Sequence, residues 1–399
     1  MIAFGGIQMR QSKKASPKLV KLLNRELIIN ELKQNPKQSR ADLSKATNLS
    51  KPAVSVIVKE LIEEGLVFET GVGPSNGGKK PILLEYNSKS NYVIGTLIQD
   101  DNIFIGLGDM NGELEKVIRT KFKPPIDGLE IVDMIANEVL NLLSSENIDP
   151  SLIKGMTIGV SGITEDERNV ISSSPNVNWK EIHLKDELTQ RLNFNIAVEN
   201  DVNLMTIGEF HKGQGKEINN FVYLYIGNGI GSGLFLNGSF YKGFHSAAGE
   251  IGYMMIGKKE LAKDNLGVFE ANYGRSGIKD RLEAIQFPFV NRDSIIQELQ
   301  LCKNHEVINN ILQDIITEWA KATVNIISVI DPEVVILSGE LTYLDEESYQ
   351  HYINLVEQFV PKMPVIKQTE LGSKAGLYGA IHLALDQFHV AGFKHIFEN

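Results

Sequence analysis

The spacing of apolar residues divides the chain into two stretches of different character. Over residues 17–35, Leu19, Leu22, Leu23, Leu27, Ile28 and Leu32 recur at helical spacing, which predicts a helix with one buried face. Asn35-Pro36 ends it, because the residue before a proline is pushed out of the helical region. Residues 39–47 predict a short helix with Ser39 as N-cap, followed by a turn at Asn48-Leu49. Ser50-Lys51-Pro52 opens a third helix: Ser50 caps it, and Pro52 sits near the first turn, where a missing N–H costs little. Val54, Ile57, Val58, Leu61 and Ile62 supply its apolar stripe. Two short strands, 66–69 and 81–85, are joined by a glycine-rich loop that ends in Lys79-Lys80. Helix, turn, helix and hairpin in this order describe a winged helix-turn-helix.

Beyond Asn87 the pattern changes to strands and hairpins mixed with helices. Strands are expected at 92–98, 103–107 and 116–122, with a hairpin signal at Asn111-Gly112. A helix at 129–144, a buried strand at 155–160, a helix at 182–192, a strand at 195–198 and a helix at 202–211 follow. A similar progression starts at Phe221: strands at 221–226 and 232–236, a turn at Asn237-Gly238, a long helix at 309–330, a strand at 333–337 and a last helix after Gly376. The repetition predicts a duplicated α/β architecture with a cleft between its halves, a place where small molecules bind. The expected divisions are a tail at 1–17, a DNA-binding head at 18–88, and two α/β halves at 89–205 and 206–399.

Charge changes the picture of the head. The chain as a whole carries −10, yet residues 1–88 hold 14 Lys and Arg against 8 Asp and Glu, and the remainder holds 26 against 42. A basic head on an acidic body suits DNA. At the start of the third helix Ser50, Lys51, Ser55 and Lys59 are candidates for phosphates or base edges, and Arg40 on the preceding helix for the backbone. Lys79 and Lys80 suit phosphates or a minor groove. A three-helix protein-docking module with a solvated loop is the other reading of this pattern. No apolar run approaches the roughly 20 residues that cross a bilayer, and no secretory signal opens the chain, so a cytoplasmic protein without a membrane partner is expected. The lone Cys302 excludes an intramolecular disulfide and a site built from several thiolates; a small buried hydrophobe is expected there.

Gly227-Asn228-Gly229-Ile230-Gly231-Ser232-Gly233, then Asn237-Gly238, Gly243 and Ala248-Gly249-Glu250-Ile251-Gly252, closely resemble the signature of the ROK family (repressors, open reading frames and kinases). Glu199-Asn200-Asp201 and Ser174-Pro175-Asn176 fall upstream in the family's order. With the helix-turn-helix in front, the resemblance is to the repressor branch, xylose-operon repressors among them, and spans residues 18–385. It implies an actin-like, hexokinase-like (ribonuclease-H-like) fold for the body. It also implies that Asn200, Asp201, Glu250 and Glu270 bind sugar hydroxyls, with Gly162 and Asn176 beside them. Read without the family, Asn200-Asp201 is equally a helix N-cap.

Three departures accompany the resemblance. Where family kinases carry a Gly-Gly-Thr-Lys-type phosphate loop, this chain reads Gln99-Asp100-Asp101-Asn102, whose carboxylates repel nucleotide phosphates. Tyr253 stands where the family has a zinc-binding, sugar-contacting histidine; it is either a sugar contact or a core aromatic. The family's cysteine cluster is missing from residues 256–266, so no metal is expected, and no cofactor. His245 has a surface or structural role. The expected function is a sugar-responsive repressor of a carbohydrate-utilisation operon, non-enzymatic and dimeric or built from dimers, with operator DNA and a sugar or sugar phosphate as partners. The rival is a sugar kinase with an appended DNA-binding head.

Overall fold

The structure, a computed structural model, describes residues 17–74, 80–162, 176–179, 182–257, 266–288 and 294–388. The expected tail, Lys79, Ser174, Pro175 and the Leu19 side chain lie outside them. Two compact units are present, one reaching Ser90 and one starting at Asn91.

The first unit consists of α1 (Pro17–Gln34), β1 (Gln38–Ser39), α2 (Arg40–Thr47), α3 (Lys51–Glu63), β2 (Val67–Val72) and β3 (Ile82–Tyr86), the strands forming an antiparallel sheet in the order β1-β3-β2. Ser39 caps α2 reciprocally with Asp42, and Ser50 caps α3 by accepting from the Ala53 N–H. Ile28, Leu32, Leu43, Val54, Val58, Leu61 and Leu84 close the core. The expected face of α1 is corrected: Leu23 and Leu27 are exposed, and Ile28, Ile29 and Leu32 are the buried residues. The first turns of α1 are held to α3 by ions instead, with Lys21 on Glu60 at 2.7 Å and Arg25 on Glu64 at 2.5 Å. Two-residue β1 has no periodicity to read and exists because it pairs with Leu83 and Leu84.

The second unit contains two five-stranded sheets of the same design. The first holds β4 (Tyr92–Gln99), β5 (Asn102–Asp109), β6 (Leu114–Lys121), β8 (Ile153–Val160) and β10 (Ile196–Asn200), in the order β10-β8-β4-β5-β6; a small parallel pair, β7 (Ile126–Asp127) and β9 (Val177–Asn178), flanks it. The second holds β11 (Phe221–Ile226), β12 (Ile230–Leu236), β13 (Ser239–Tyr241), β14 (Val334–Gly339) and β15 (Val365–Gln368), in the order β13-β12-β11-β14-β15. In both, three strands run as an antiparallel meander and two more add in parallel.

The helices repeat as well. α4 (Gly128–Ser145), α5 (Leu184–Leu192) and α6 (Asp201–Lys212) occur along the first half in the same order as α10 (Glu306–Ile330), α11 (Glu346–Phe359) and α12 (Lys374–Gln387) along the second. The duplicated, actin-like and hexokinase-like α/β layout is therefore present. The second copy also carries α7 (Val268–Tyr273), α8 (Arg275–Ala284) and α9 (Ile295–Leu301) between β13 and α10. Those three helices, α11 and β15 had no counterpart among the sequence expectations, because each is short or half-polar and its amphipathic face emerges only against a neighbour. The expected division at 205/206 falls inside α6.

The halves exchange their last helices. α12 packs on β4, β8 and β5 of the first sheet, while α6 packs on β12 and β11 of the second, and the two helices cross each other. At the crossing, a Cβ on Gly208 would lie 1.9 Å from the Ala375 carbonyl oxygen, and one on Gly379 would lie 1.8 Å from that of Leu204. Only glycine permits this approach. Gly379→Ala is expected to destabilise the body by roughly 1–3 kcal/mol, the usual cost of overpacking. The urea midpoint measures it at constant slope; an unchanged midpoint would show that the helices can separate without cost.

Candidate functional site

In the head, α3 presents an exposed face opposite its buried stripe. Lys51 in the first turn, Ser55 and Lys59 project on this face. Ser50 is at the N-cap, its hydroxyl engaged by the Ala53 N–H at 3.4 Å. Lys51 has no ion-pair partner among the described residues, whereas Lys59 lies 3.7 Å from Glu63. Arg40 opens α2 and reaches Glu69 of β2 at 3.3 Å, so one hydrogen-bonding arm of its guanidinium is already held within the head. Lys80 is exposed just before β3. The sequence reading missed Val56, which is 56% exposed on the same face as Ser55.

In the body, a cavity of about 240 Å³ lies between the two sheets, and Gly162, Asn176, Asn200, Asp201, Glu250, Tyr253 and Glu270 all line it. Segments far apart in sequence converge because β10 ends where α6 begins. Asn200 is the N-cap of α6, accepting from the Asn203 N–H at 3.1 Å, and its amide donates to the Gly162 carbonyl at 3.1 Å. Asp201, the first helical residue, is buried; its carboxylate accepts from the Ser161 hydroxyl at 2.7 Å and the Val202 N–H at 2.9 Å. The two readings of Asn200-Asp201 thus separate: Asn200 caps the helix, and Asp201 faces the cavity.

The opposite wall comes from the second half. Gly249 adopts φ +91° with its Cα against the Ser232 carbonyl, where a Cβ would come within 1.9 Å, and this turn delivers Glu250 to the cavity. Glu270, on α7, accepts from the Ile230 N–H at 2.8 Å. Tyr253 is 53% exposed at the cavity wall and is not a core aromatic. Asn176 donates to the Asp100 carbonyl at 2.9 Å. Ser161 and Trp179 also line the cavity and carried no recognisable motif, and Ser232 lines it from within the glycine signature. Glu199 and Lys242 were missed for another reason: Glu199 is buried, orients Asn200 and Asn203 through one oxygen, and meets Lys242 from the other half at 2.5 Å through the second.

The electrostatics are dominated by carboxylates. Among the described residues, no Lys, Arg or His lines this cavity. Burial raises Asp201, Glu250 and Glu270 from their ordinary values; repulsion adds to this from Asp100 on Asp201, from Glu270 and Asp201 on Glu250, and from Asp201 on Glu270. Glu250 is lifted from 4.5 to about 7 and accepts no hydrogen bond from the described residues.

Asp100 forms part of the same wall and separates the cavity from a larger neighbouring cleft of about 860 Å³. Its carboxylate accepts from the Asn228 amide in the Gly227–Gly233 loop, and burial raises its pKa. Asp101 faces Lys121 at 3.7 Å. For zinc the donor set does not fit: Tyr253 has a phenol raised by burial and by Glu250 and Glu270. The intervening residues 258–265 hold no Cys or His, and Cys302 sits at the far end of α9.

The Glu250 shift has a definite sign. The folded protein keeps this proton between 4.5 and about 7, where the unfolded chain has released it, so stability present below 4.5 is lost as pH rises through about 7. Glu250→Gln removes that loss, so its thermal midpoint is expected to gain on the wild type as pH rises from about 5 to about 8. Parallel curves would place Glu250 in open solvent.

The chain is similar along its length to proteins of one family. A winged helix-turn-helix DNA-binding profile matches residues 23–67, and the ROK family profile matches residues 98–387. A xylose repressor of Caldicellulosiruptor bescii is 26% identical over 389 residues, covering 92% of this chain and 96% of that one. The structure of a ROK family transcriptional regulator, a homologue of the E. coli MLC protein, superposes with a TM-score of 0.73 at 20% identity, covering 92% of this chain and 96% of that one. A ROK hexokinase of Thermus thermophilus reaches a TM-score of 0.62 at 20% identity, covering 74% of this chain and 99% of that one, and so shares the body's fold. With both profiles matched in this order, the chain belongs to the ROK family.

Proposed function

We propose that the protein is a sugar-responsive DNA-binding transcriptional repressor of a carbohydrate-utilisation operon, of the xylose type. One observation carries the reading: the chain that bears a helix-turn-helix with lysines on the exposed face of its second helix also bears a cavity where the side chains expected to hold a sugar converge from both halves of the body. Similarity to xylose repressors over most of the chain supports it. Lys51, Ser55, Lys59, Lys79 and Lys80, with Arg40, hold the operator. Ser50 contributes through its cap.

In the cavity, sugar hydroxyls donate to Asp201, Glu250 and Glu270, and Asn176 and Tyr253 complete the set. The Gly162 backbone and the Asn200 cap fix the wall on the first half's side. Because the described lining presents carboxylates and no cation, it favours an uncharged sugar over a sugar phosphate. A ligand held from both halves prefers one closure of the cleft. Coupling to DNA is then reciprocal: operator weakens sugar by the factor that sugar weakens operator. A homodimer matches a two-fold operator.

The protein acts by binding rather than turnover. Asp100 stands where the family's first phosphate loop is expected and accepts from Asn228 of the second, so a carboxylate faces the place that nucleotide phosphates would occupy. A kinase with an appended head is the second reading, favoured by the 860 Å³ cleft beside Asp100. Incubation with ATP and a monosaccharide panel is expected to yield no sugar phosphate; turnover above background would establish the kinase.

A thermal-shift screen of monosaccharides and sugar phosphates is expected to find an uncharged sugar that raises the melting temperature, with the shift lost in Asp201→Ala. A shift retained in that variant would move the sugar out of the cavity. Lys51→Ala is expected to weaken binding to DNA from upstream of the gene and to reduce the salt slope by about 1. An unchanged slope would remove Lys51 from the interface.

A further inference from the structure

Val56 is the one strongly exposed apolar side chain on the described recognition helix. Placed at 100° per residue, Lys51, Pro52, Ser55, Val56 and Lys59 share one solvent-facing arc of α3, while Val54, Ile57, Val58 and Leu61 point into the head core. A β-branched residue loses rotamer freedom in a helix, and exposed to water it gains no burial in return. At 56% exposure Val56 contributes no more than an edge to the core. The lysines around it supply the charge complementarity that draws a phosphate-lined groove onto this face.

Within the major groove the apolar group on offer is the thymine C5-methyl; the other base-edge groups there are hydrogen-bond donors and acceptors. Resting on the DNA-binding reading above, we propose that Val56 reads the methyl group of a thymine in each operator half-site. It thereby fixes a T·A pair at that position, while Lys51 and Lys59 hold the flanking phosphates. Serine at 55 and lysine at 51 are compatible with several bases; valine at 56 is selective because a cytosine at the same place presents an amino group that the isopropyl group would strip of water.

Deoxyuridine tests this directly, since it removes the methyl group and leaves the base-pairing edge intact. Duplexes are first selected from a randomised pool on the full-length wild-type protein, and each thymine of the enriched half-site is then replaced singly by deoxyuridine. One replacement is expected to weaken wild-type binding by about three- to tenfold, the worth of one buried methyl contact. Val56→Ala is expected to lose a similar factor on the thymine duplex and to bind the thymine and uracil duplexes equally. Its thermal melt should match the wild type, because the side chain lies outside the core.

Uniform wild-type affinity across all uracil duplexes would overturn the methyl contact. So would a uracil penalty that persists undiminished in Val56→Ala, which would assign the thymine to another residue. Failure to enrich any duplex would overturn the DNA-binding reading itself, and this inference with it, so the two failures are distinguishable.

Discussion

The crossing of α6 and α12 is the constraint on which the rest of the body depends. Each helix belongs in sequence to one half and packs on the sheet of the other, so the two halves cannot part without breaking both interfaces. Gly208 and Gly379 permit a backbone approach that any side chain would block. Asp201 sits at the N-terminus of α6, and the helix that places this carboxylate in the cavity is therefore the helix that ties the halves together.

The cavity is arranged around an electrostatic tension. Asp201 is buried and Glu250 and Glu270 are half-buried in the same cavity, with no cation among its described lining residues, and desolvation lifts all three. Asp201 is partly compensated by Ser161 and Val202, and Glu270 by Ile230. Glu250 has no such support among the described residues, and its carboxyl is lifted to about 7. Polyhydroxylated ligands carry the donors that buried carboxylates lack, at no charge cost. Across the cleft, Lys242 on Glu199 and Asn228 on Asp100 join the halves at two further points.

The head follows a different economy. Its core is small, and the first turns of α1 are held to α3 by Lys21 and Arg25 on Glu60 and Glu64 rather than by apolar contact. Several of its cations are thus occupied internally. The net positive charge that singled out the head in the sequence therefore overstates the number of cations on its surface without an internal carboxylate partner.

Local periodicity and punctuation determined much of this protein. The caps Ser39 and Ser50, the turn at Asn48, the hairpins at Asn111-Gly112 and Asn237-Gly238, and the main strands and long helices of both halves were legible because each depends on residues close in sequence. The glycine signature together with Asn200 and Asp201 was enough to name the residues that line the cavity. Tertiary structure alone decided which way α1 faces, since Leu23 and Leu27 obey the same spacing as Ile28 and Leu32 yet have no neighbour to bury them. It also decided the division of labour between Asn200 and Asp201, the exposure of Tyr253, and the pairing of Glu199 with Lys242 across 43 residues of sequence. These depend on which surfaces meet, and a single chain read in order does not carry that information.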